Sequence, residues 1–413
     1  MRKIFKHTAV AVAALSAPFA MAEVTISGTV DQAVQRTTTH TNPSNAALGA
    51  LSSSVNGNQS VNEVASTLSN YNYLALKGNE DLGNGLKATF EVSIKNVGPD
   101  NADAVMKNYL SHVGLEGSFG KIKIGQQWRP FFTAVASIDP TQLAAVPGFS
   151  GAGIKGTGLA GLAPEPNSNS ITYNIPNVVP GLFVQLQKGL GEATTAATQG
   201  QGDNYGMYAI FTDGQKFFVA VAKHSEKMVA GGKFTASATG TNGLGTATVI
   251  PANALGAGKP ALTMPELTGA GLNGLDHVLY LANGGETRDS IAYAATYNFG
   301  LAKLVWGTAT EDVPSTQAKL VMNAWGVKIP VNEQIDLGYL STKTNHTRGS
   351  ITAVGSLPGS QFSLSGYKLL ATYNLSKRTK LYWTKGYQKL DGGTAAGNEF
   401  STARTGLGVN HNF

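Results

Sequence analysis

The C-terminal run from Thr402 to Phe413, T-A-R-T-G-L-G-V-N-H-N-F, constrains this chain more than any other stretch. Successive side chains of a strand point to opposite faces. One face then carries Ala403, Thr405, Leu407, Val409, His411 and Phe413; the other carries Thr402, Arg404, Gly406, Gly408, Asn410 and Asn412. The first face suits hydrocarbon and the second suits water, and the strand stops on a bare aromatic residue. A closed membrane barrel accounts for all three features, because its last strand pairs with its first and ends at the aromatic girdle of the bilayer interface.

The N-terminus supports export. Arg2, Lys3 and Lys6 precede an apolar run from Thr8 to Phe19 and the small-residue site Ala20-Met21-Ala22. This reads as a signal peptide over residues 1–22, cut after Ala22. Its apolar core is shorter than the ~20 residues of a spanning helix. Removing it takes three cations from the 31 Lys and Arg and leaves 28 against 25 acids, so the mature chain is nearly balanced and has no nucleic-acid footprint. Charged residues make up only 14% of the chain, below the roughly 25% usual in soluble domains, yet no later stretch is long and apolar enough for a helical span. Cysteine is absent, which suits passage through an oxidising compartment.

From Glu23 onward period two recurs. Val24, Ile26 and Val30 oppose Thr25, Ser27, Thr29 and Asp31; Leu86, Ala88, Phe90 and Val92 oppose Lys87, Thr89 and Glu91; Ile122 and Ile124 oppose Lys121 and Lys123. About sixteen such segments follow one another to the C-terminus, an even number as bacterial barrels require. Short turns such as Gly117-Ser118-Phe119-Gly120 and Thr212-Asp213-Gly214-Gln215 alternate with long polar stretches near 35–70, 95–108, 128–169, 189–204, 224–289, 310–322, 343–364 and 388–401. The expectation is an all-β fold: a transmembrane antiparallel β-barrel of 16 strands occupying residues 23–413, with long extracellular loops and short periplasmic turns. The stretch 224–289 reads as a surface loop or a lid.

Sites for chemistry are scarce. Gly151-Gly153-Gly156 and Gly269-Gly271-Gly274 match a dinucleotide spacing, but neither follows a strand or opens a helix. The histidines are scattered, and no metal-ligand spacing or nucleophile elbow occurs. No catalysis, metal or cofactor is expected. The water-facing parity is more informative. It carries Lys77, Lys87, Lys121, Lys123, Lys303, Lys328, Lys368 and Arg404 against Asp31, Glu91, Glu116 and Asp336, which gives a mildly positive interior with a weak preference for anions. Lys121 and Lys123 adjoin a turn, where solvating that turn explains them as well as lining does. Lys385 stands out on the lipid parity, at a rim or a protein contact. The stretch 128–169 lies between two clean strands, and a loop of this length is usually functional. Folded inward it would set the narrowest point, with Asp139 and Glu165 as its acids and Arg129 and Lys155 as its bases.

At Gly114-Leu115-Glu116-Gly117-Ser118-Phe119-Gly120-Lys121, Gly125-Gln126-Gln127-Trp128-Arg129-Pro130, Tyr373-Asn374-Leu375-Ser376-Lys377-Arg378-Thr379 and the terminal Gly408-Val409-Asn410-His411-Asn412-Phe413, the sequence resembles the trimeric general porins of Gram-negative bacteria, especially the β-proteobacterial group. The resemblance implies a homotrimer in the outer membrane, surrounded by lipid and lipopolysaccharide. It also implies passive diffusion of small hydrophilic solutes and ions, and a loop after the fifth strand folded into the channel. Family members often carry Arg where this chain has Tyr73, Gln126, Thr172 and Asn410. Tyr73, Thr172 and Asn410 fall on the water-facing parity; Gln126 does so only with a bulge nearby. A wall without these guanidinium groups implies weaker ion selectivity, with Tyr73 favouring neutral or weakly charged aromatic solutes. The rival expectations are a substrate-selective porin, a barrel that displays loops as an adhesin or surface receptor, and, last, a barrel enzyme.

Overall fold

The computed structural model describes residues 23–42, 57–65, 72–95, 106–142, 166–191, 202–227, 249–250, 262–263, 287–313, 318–347, 362–392 and 399–413. Residues 1–22, Lys155, Glu165 and most of the 224–289 stretch lie outside the described residues.

The wall is one antiparallel sheet. Its strands are β1 (Glu23–Asn42), β2 (Gly57–Ala65), β3 (Tyr73–Gly83), β4 (Leu86–Lys95), β5 (Lys107–Gly117), β6 (Gly120–Gln127), β7 (Asn167–Asn174), β8 (Leu182–Gly189), β9 (Asn204–Thr212) and β10 (Phe217–Lys227). A separate two-residue ladder joins β11 (Val249–Ile250) to β12 (Leu262–Thr263). The wall resumes with β13 (Thr287–Asn298), β14 (Lys303–Val313), β15 (Ala318–Pro330), β16 (Ile335–Thr347), β17 (Phe362–Asn374), β18 (Thr379–Gly392) and β19 (Glu399–Asn412). From β3 to β10 and from β13 to β19 each strand pairs with the next in the chain, β10 pairs with β13, and β19 returns to β1, from Thr29↔Asn412 to Asn42↔Glu399.

The sheet has 17 strands but sixteen wall positions, because β2 and β3 share one. β2 pairs with Ala33–Thr41 of β1, and β3 pairs with Glu23–Thr29. Asp31 faces the gap between them. There the Asn72 side chain replaces a strand: its Oδ1 accepts from the Asp31 N–H at 2.7 Å and its Nδ2 donates to the Asp31 carbonyl at 3.3 Å.

Burial alternates with the expected parity. On β13, Ser290, Ala292, Ala294 and Thr296 are buried on the inward face while Tyr293 and Tyr297 are exposed on the outward face. Outward aromatic residues form contacts across neighbouring strands, as in Trp325–Tyr339, Tyr339–Tyr367 and Tyr367–Tyr387. This is the pattern of a membrane interface girdle.

The connections are short at the end that holds both termini of the wall. Residues 84–85, 118–119, 175–181, 213–216, 299–302, 331–334 and 375–378 make these turns. In one of them the Asp213 carboxylate accepts the N–H groups of Phe217, Gln215 and Lys216, which holds its pKa below the ordinary value. At the other end the 310–322 stretch departs from expectation. β14 runs to Val313 and β15 starts at Ala318, so only residues 314–317 connect them. The polar residues that looked like a loop are ladder residues: Glu311 takes an inward hydrogen bond from Ser290, and Asp312 pairs outward with Lys319 at 3.7 Å. Likewise β10 extends to Lys227 and β13 begins at Thr287, which shortens the 224–289 connection at both ends.

Closure is sealed by the last residue. Phe413 and Gly28 exchange backbone hydrogen bonds of 3.0 and 3.1 Å. A Cβ on Gly28 would stand 2.6 Å from the Phe413 ring and 2.5 Å from the Tyr73 carbonyl, so only glycine admits the ring here. Gly28→Val should cost on the order of 1–3 kcal/mol by overpacking this seam. Refolding into detergent, followed by heat-modifiable gel mobility, should show a reduced folded fraction for Gly28→Val and for Phe413→Ala; wild-type yields from both would remove the seam from the account.

Candidate functional site

The interior is crossed by the segment that follows β6, the fifth wall position. Helix α1 (Pro130–Ala136) starts at Pro130, whose fixed φ suits the first helical turn. Pro130, Phe131, Phe132, Ala134 and Val135 are all buried. They sit on inward residues of β9, β10 and β13 that are small, including Ala220, Ala222, Ala292 and Ala294, and Ile138 joins the same cluster with Leu320, Met322 and Leu340. The inner wall here is therefore apolar, against the expectation of a polar interior throughout. A Cβ on Gly338 would stand 2.3 Å from the Pro140 carbonyl oxygen, so the segment passes where the wall has no side chain.

Ionic anchors hold both ends. Arg129 Nη1 contacts Glu226 Oε2 at 3.2 Å and also meets the His224 ring. Glu226 accepts from Arg288 Nη2 at 3.0 Å, and Arg288 reaches Glu311 at 3.8 Å. At the far end Lys368 Nζ donates to Asp139 Oδ2 at 2.7 Å, and the Thr141 N–H and hydroxyl donate to Oδ1. Lys380 reaches Gln142 at 2.6 Å.

These contacts change how two expected charges act. Asp139 and Lys368 face each other with side chains only 7% and 4% exposed, so neither presents open charge to the interior. Thr172 and Asn410 are inward but also covered, Thr172 accepting from Gln187 Nε2 at 3.1 Å and Asn410 lying opposite Asp31 and Lys380. Lys77 and Glu91 form an ion pair at 3.3 Å, with His112 at 3.7 Å from the same carboxylate. Lys121 pairs with Glu116 at 3.1 Å. Lys87 is exposed on the inward parity opposite Glu116. Lys303 and Lys328 are register partners, and Lys328 reaches Asp336 at 3.6 Å. Arg404 donates to Thr37 Oγ1 at 3.0 Å and lies 3.7 Å from Glu63. Tyr73 stands on the inward face against the Tyr109 ring. Gln126 keeps the outward parity of Ile122 and Ile124 and hydrogen-bonds Asn108 at 3.0 Å; the nearby register shift places its one extra residue on β7.

Sequence reasoning missed His224, Glu226, Arg288, Ser290 and Glu311, having assigned them to loops or loop edges. Parity alone finds them: Ala220, Ala222, His224 and Glu226 are one inward column. Among the described residues no group of metal-type ligands occurs.

A sixteen-position antiparallel barrel, apolar outside and charged within, with a strand-following loop docked inside it, defines a large membrane β-barrel of the porin type. The Gram-negative porin family model matches residues 9–393, and the chain belongs to that family. It is 36% identical over 107 residues to the major outer membrane protein P.IB of Neisseria meningitidis serogroup B, across 26% of this chain and 29% of the relative. It is 32% identical over 141 residues to outer membrane porin protein 32 of Delftia acidovorans, across 33% of this chain and 38% of the relative. Both matches span well under two thirds of the curated relatives. The fold is similar to that of an anion-selective porin from Comamonas acidovorans, with a TM-score of 0.63 at 20% identity over 95% of this chain and 100% of that one.

Lys368→Met leaves Asp139 buried without its cation, a change that costs about 3–5 kcal/mol. Amide exchange over residues 130–142 should accelerate sharply in Lys368→Met and recover in Lys368→Met/Asp139→Asn; unchanged exchange in the single variant would show that the pair does not hold the loop.

Proposed function

We propose that this protein is an outer-membrane channel for passive diffusion of small hydrophilic solutes and ions, acting without catalysis or cofactor. The observation that carries this reading is a closed sheet whose two faces differ: Val24, Ile26 and Val34 are exposed outside, while Lys77, Glu91, Lys123 and Arg404 stand inside. Membership of the Gram-negative porin family supports it. The inward cations Lys77, Lys87, Lys121, Lys123, Lys303, Lys328 and Arg404 outnumber the acids that face them, so selection among ions favours anions weakly. Segment 129–142 narrows the passage, and its described charges are neutralised at the wall; Lys155 and Glu165 complete this loop in our reading.

Residues 1–22 act as a cleaved signal peptide, the short turns face the periplasm, and the long connections, including that between β10 and β13, face outward. Contact with lipid and lipopolysaccharide follows from the girdle. A homotrimer is supported by the outer face of strands β1 to β6, which exposes the aliphatic residues Val30, Val64, Leu76, Val92, Val113, Leu115 and Ile124, whereas most of the exposed aromatics lie on β8 to β18. An aliphatic sector suits packing against a second copy, where no headgroup needs a girdle.

Reconstitution in planar bilayers should give conductance steps grouped in threes and a small reversal potential of anion sign in a KCl gradient. A plugged barrel, or strong cation selectivity, would overturn the reading.

A further inference from the structure

We propose that Tyr73, Tyr109 and Trp128 form a subsite on the inner wall for small aromatic carboxylates. The inference rests on the channel reading and narrows it.

Three rings from three parts of the chain meet here. Tyr73 opens β3, Tyr109 lies on β5, and Trp128 follows β6. The Tyr73 and Tyr109 centroids are 5.8 Å apart at 47°, and Tyr109 meets Trp128 at 5.4 Å, edge to face. Tyr109 owes its place to a register shift: Ser93 pairs with Leu110 but Ile94 pairs with Asn108, so Tyr109 is the extra residue. Bulges of this kind re-aim a side chain. Next along the inward face from Tyr73, Ala75 is fully covered and its register partner Ser93 nearly so. The three aromatic residues themselves are half-buried.

Loop anchoring accounts for only part of this arc. Trp128 stacks on Phe132 of α1 at 4.2 Å and 13°, which spends one face of the indole on the helix. The helix is already held by Arg129 at one end and by the Asp139–Lys368 pair beyond the other. The arc then continues away from the helix through Tyr109 to Tyr73. Planar apolar surface facing an aqueous interior is a platform for stacking a planar ligand.

The charges nearby select an anion. Lys95 is the register partner of Tyr73, and its Nζ stands 5.8 Å from the Tyr109 ring centroid. A cation over the ring face is attracted to it, which fixes the Tyr109 ring and puts positive charge beside the aromatic surface. Further along the same wall come Lys77 and Lys123 around Glu91 and His112, about 13 Å from Tyr73 at the rise of a strand. An aromatic ring carrying a carboxylate therefore meets stacking surface first and a net positive field directly after it.

The test uses the full channel in planar bilayers with KCl, titrated with benzoate, with cyclohexanecarboxylate, which has the same charge and similar size without a π face, and with phenol, which has the π face without the charge. Benzoate should produce saturable current blockade at concentrations threefold to tenfold below either comparator. Tyr109→Leu and Tyr73→Leu should abolish that preference while Tyr109→Phe keeps it, with blockade read as a fraction of each variant's own KCl current. Equal blockade by the two carboxylates, or a preference that survives both leucine variants, overturns the aromatic subsite. Phenol matching benzoate overturns the requirement for the anion. Failure of the chain to conduct KCl at all would instead refute the channel reading beneath it.

Discussion

Hydrocarbon offers no partner to an N–H or a C=O, so every backbone polar group at membrane depth must find one within the protein. For a chain without a spanning helix the solution is a sheet closed on itself. β1 is the strand on which this depends. It pairs with β19 along one edge, and with β2 and β3 in turn along the other. Where those two leave a gap, Asn72 supplies the missing donor and acceptor from its side chain. At the end of the seam the Phe413 backbone completes the ladder while its ring covers Gly28. The exposed carboxylate of Asp213 contributes on the turn side, and that contribution falls away as pH drops through its lowered pKa.

Closure leaves a second difficulty, which is how a loop is held inside a water-filled barrel. An extended segment has its own backbone groups to satisfy and loses entropy on docking. Here the wall is divided. One sector is made of alanines, glycines and a few large aliphatics, and takes the apolar face of α1. Beyond its ends, charged pairs fix the segment in place, Arg129 on Glu226 and Asp139 on Lys368. The opposite sector keeps Lys77, Glu91, His112 and Lys123 on the inner face. Charge is thus consumed where the loop docks and retained where it does not.

Much of this was legible in the sequence where one face met lipid and the other met water. β1, β4, β6 and β19 alternate cleanly, and the parities read from them match the faces the structure gives Thr29, Asp31, Glu91, Lys123 and Arg404. Legibility failed for three physical reasons. Where α1 docks, both faces of the wall are apolar, so Ala220, Ala222, Leu320 and Met322 blur the alternation. Near the rim both faces are polar, and His224, Glu226, Arg288 and Glu311 resemble loop residues although they extend the ladder. The pairing of Asp139 with Lys368 joins residues 229 apart in the chain, and no local pattern encodes such a contact.

Absence of cysteine in the chain makes the central claim directly testable. Single cysteines placed from Lys87 to Val92 on β4, probed in membranes with a membrane-impermeant thiol reagent, report which face each position occupies. The account predicts labelling at Lys87, Thr89 and Glu91 and protection at Ala88, Phe90 and Val92. Uniform labelling, or protection recurring every three to four residues, would contradict it.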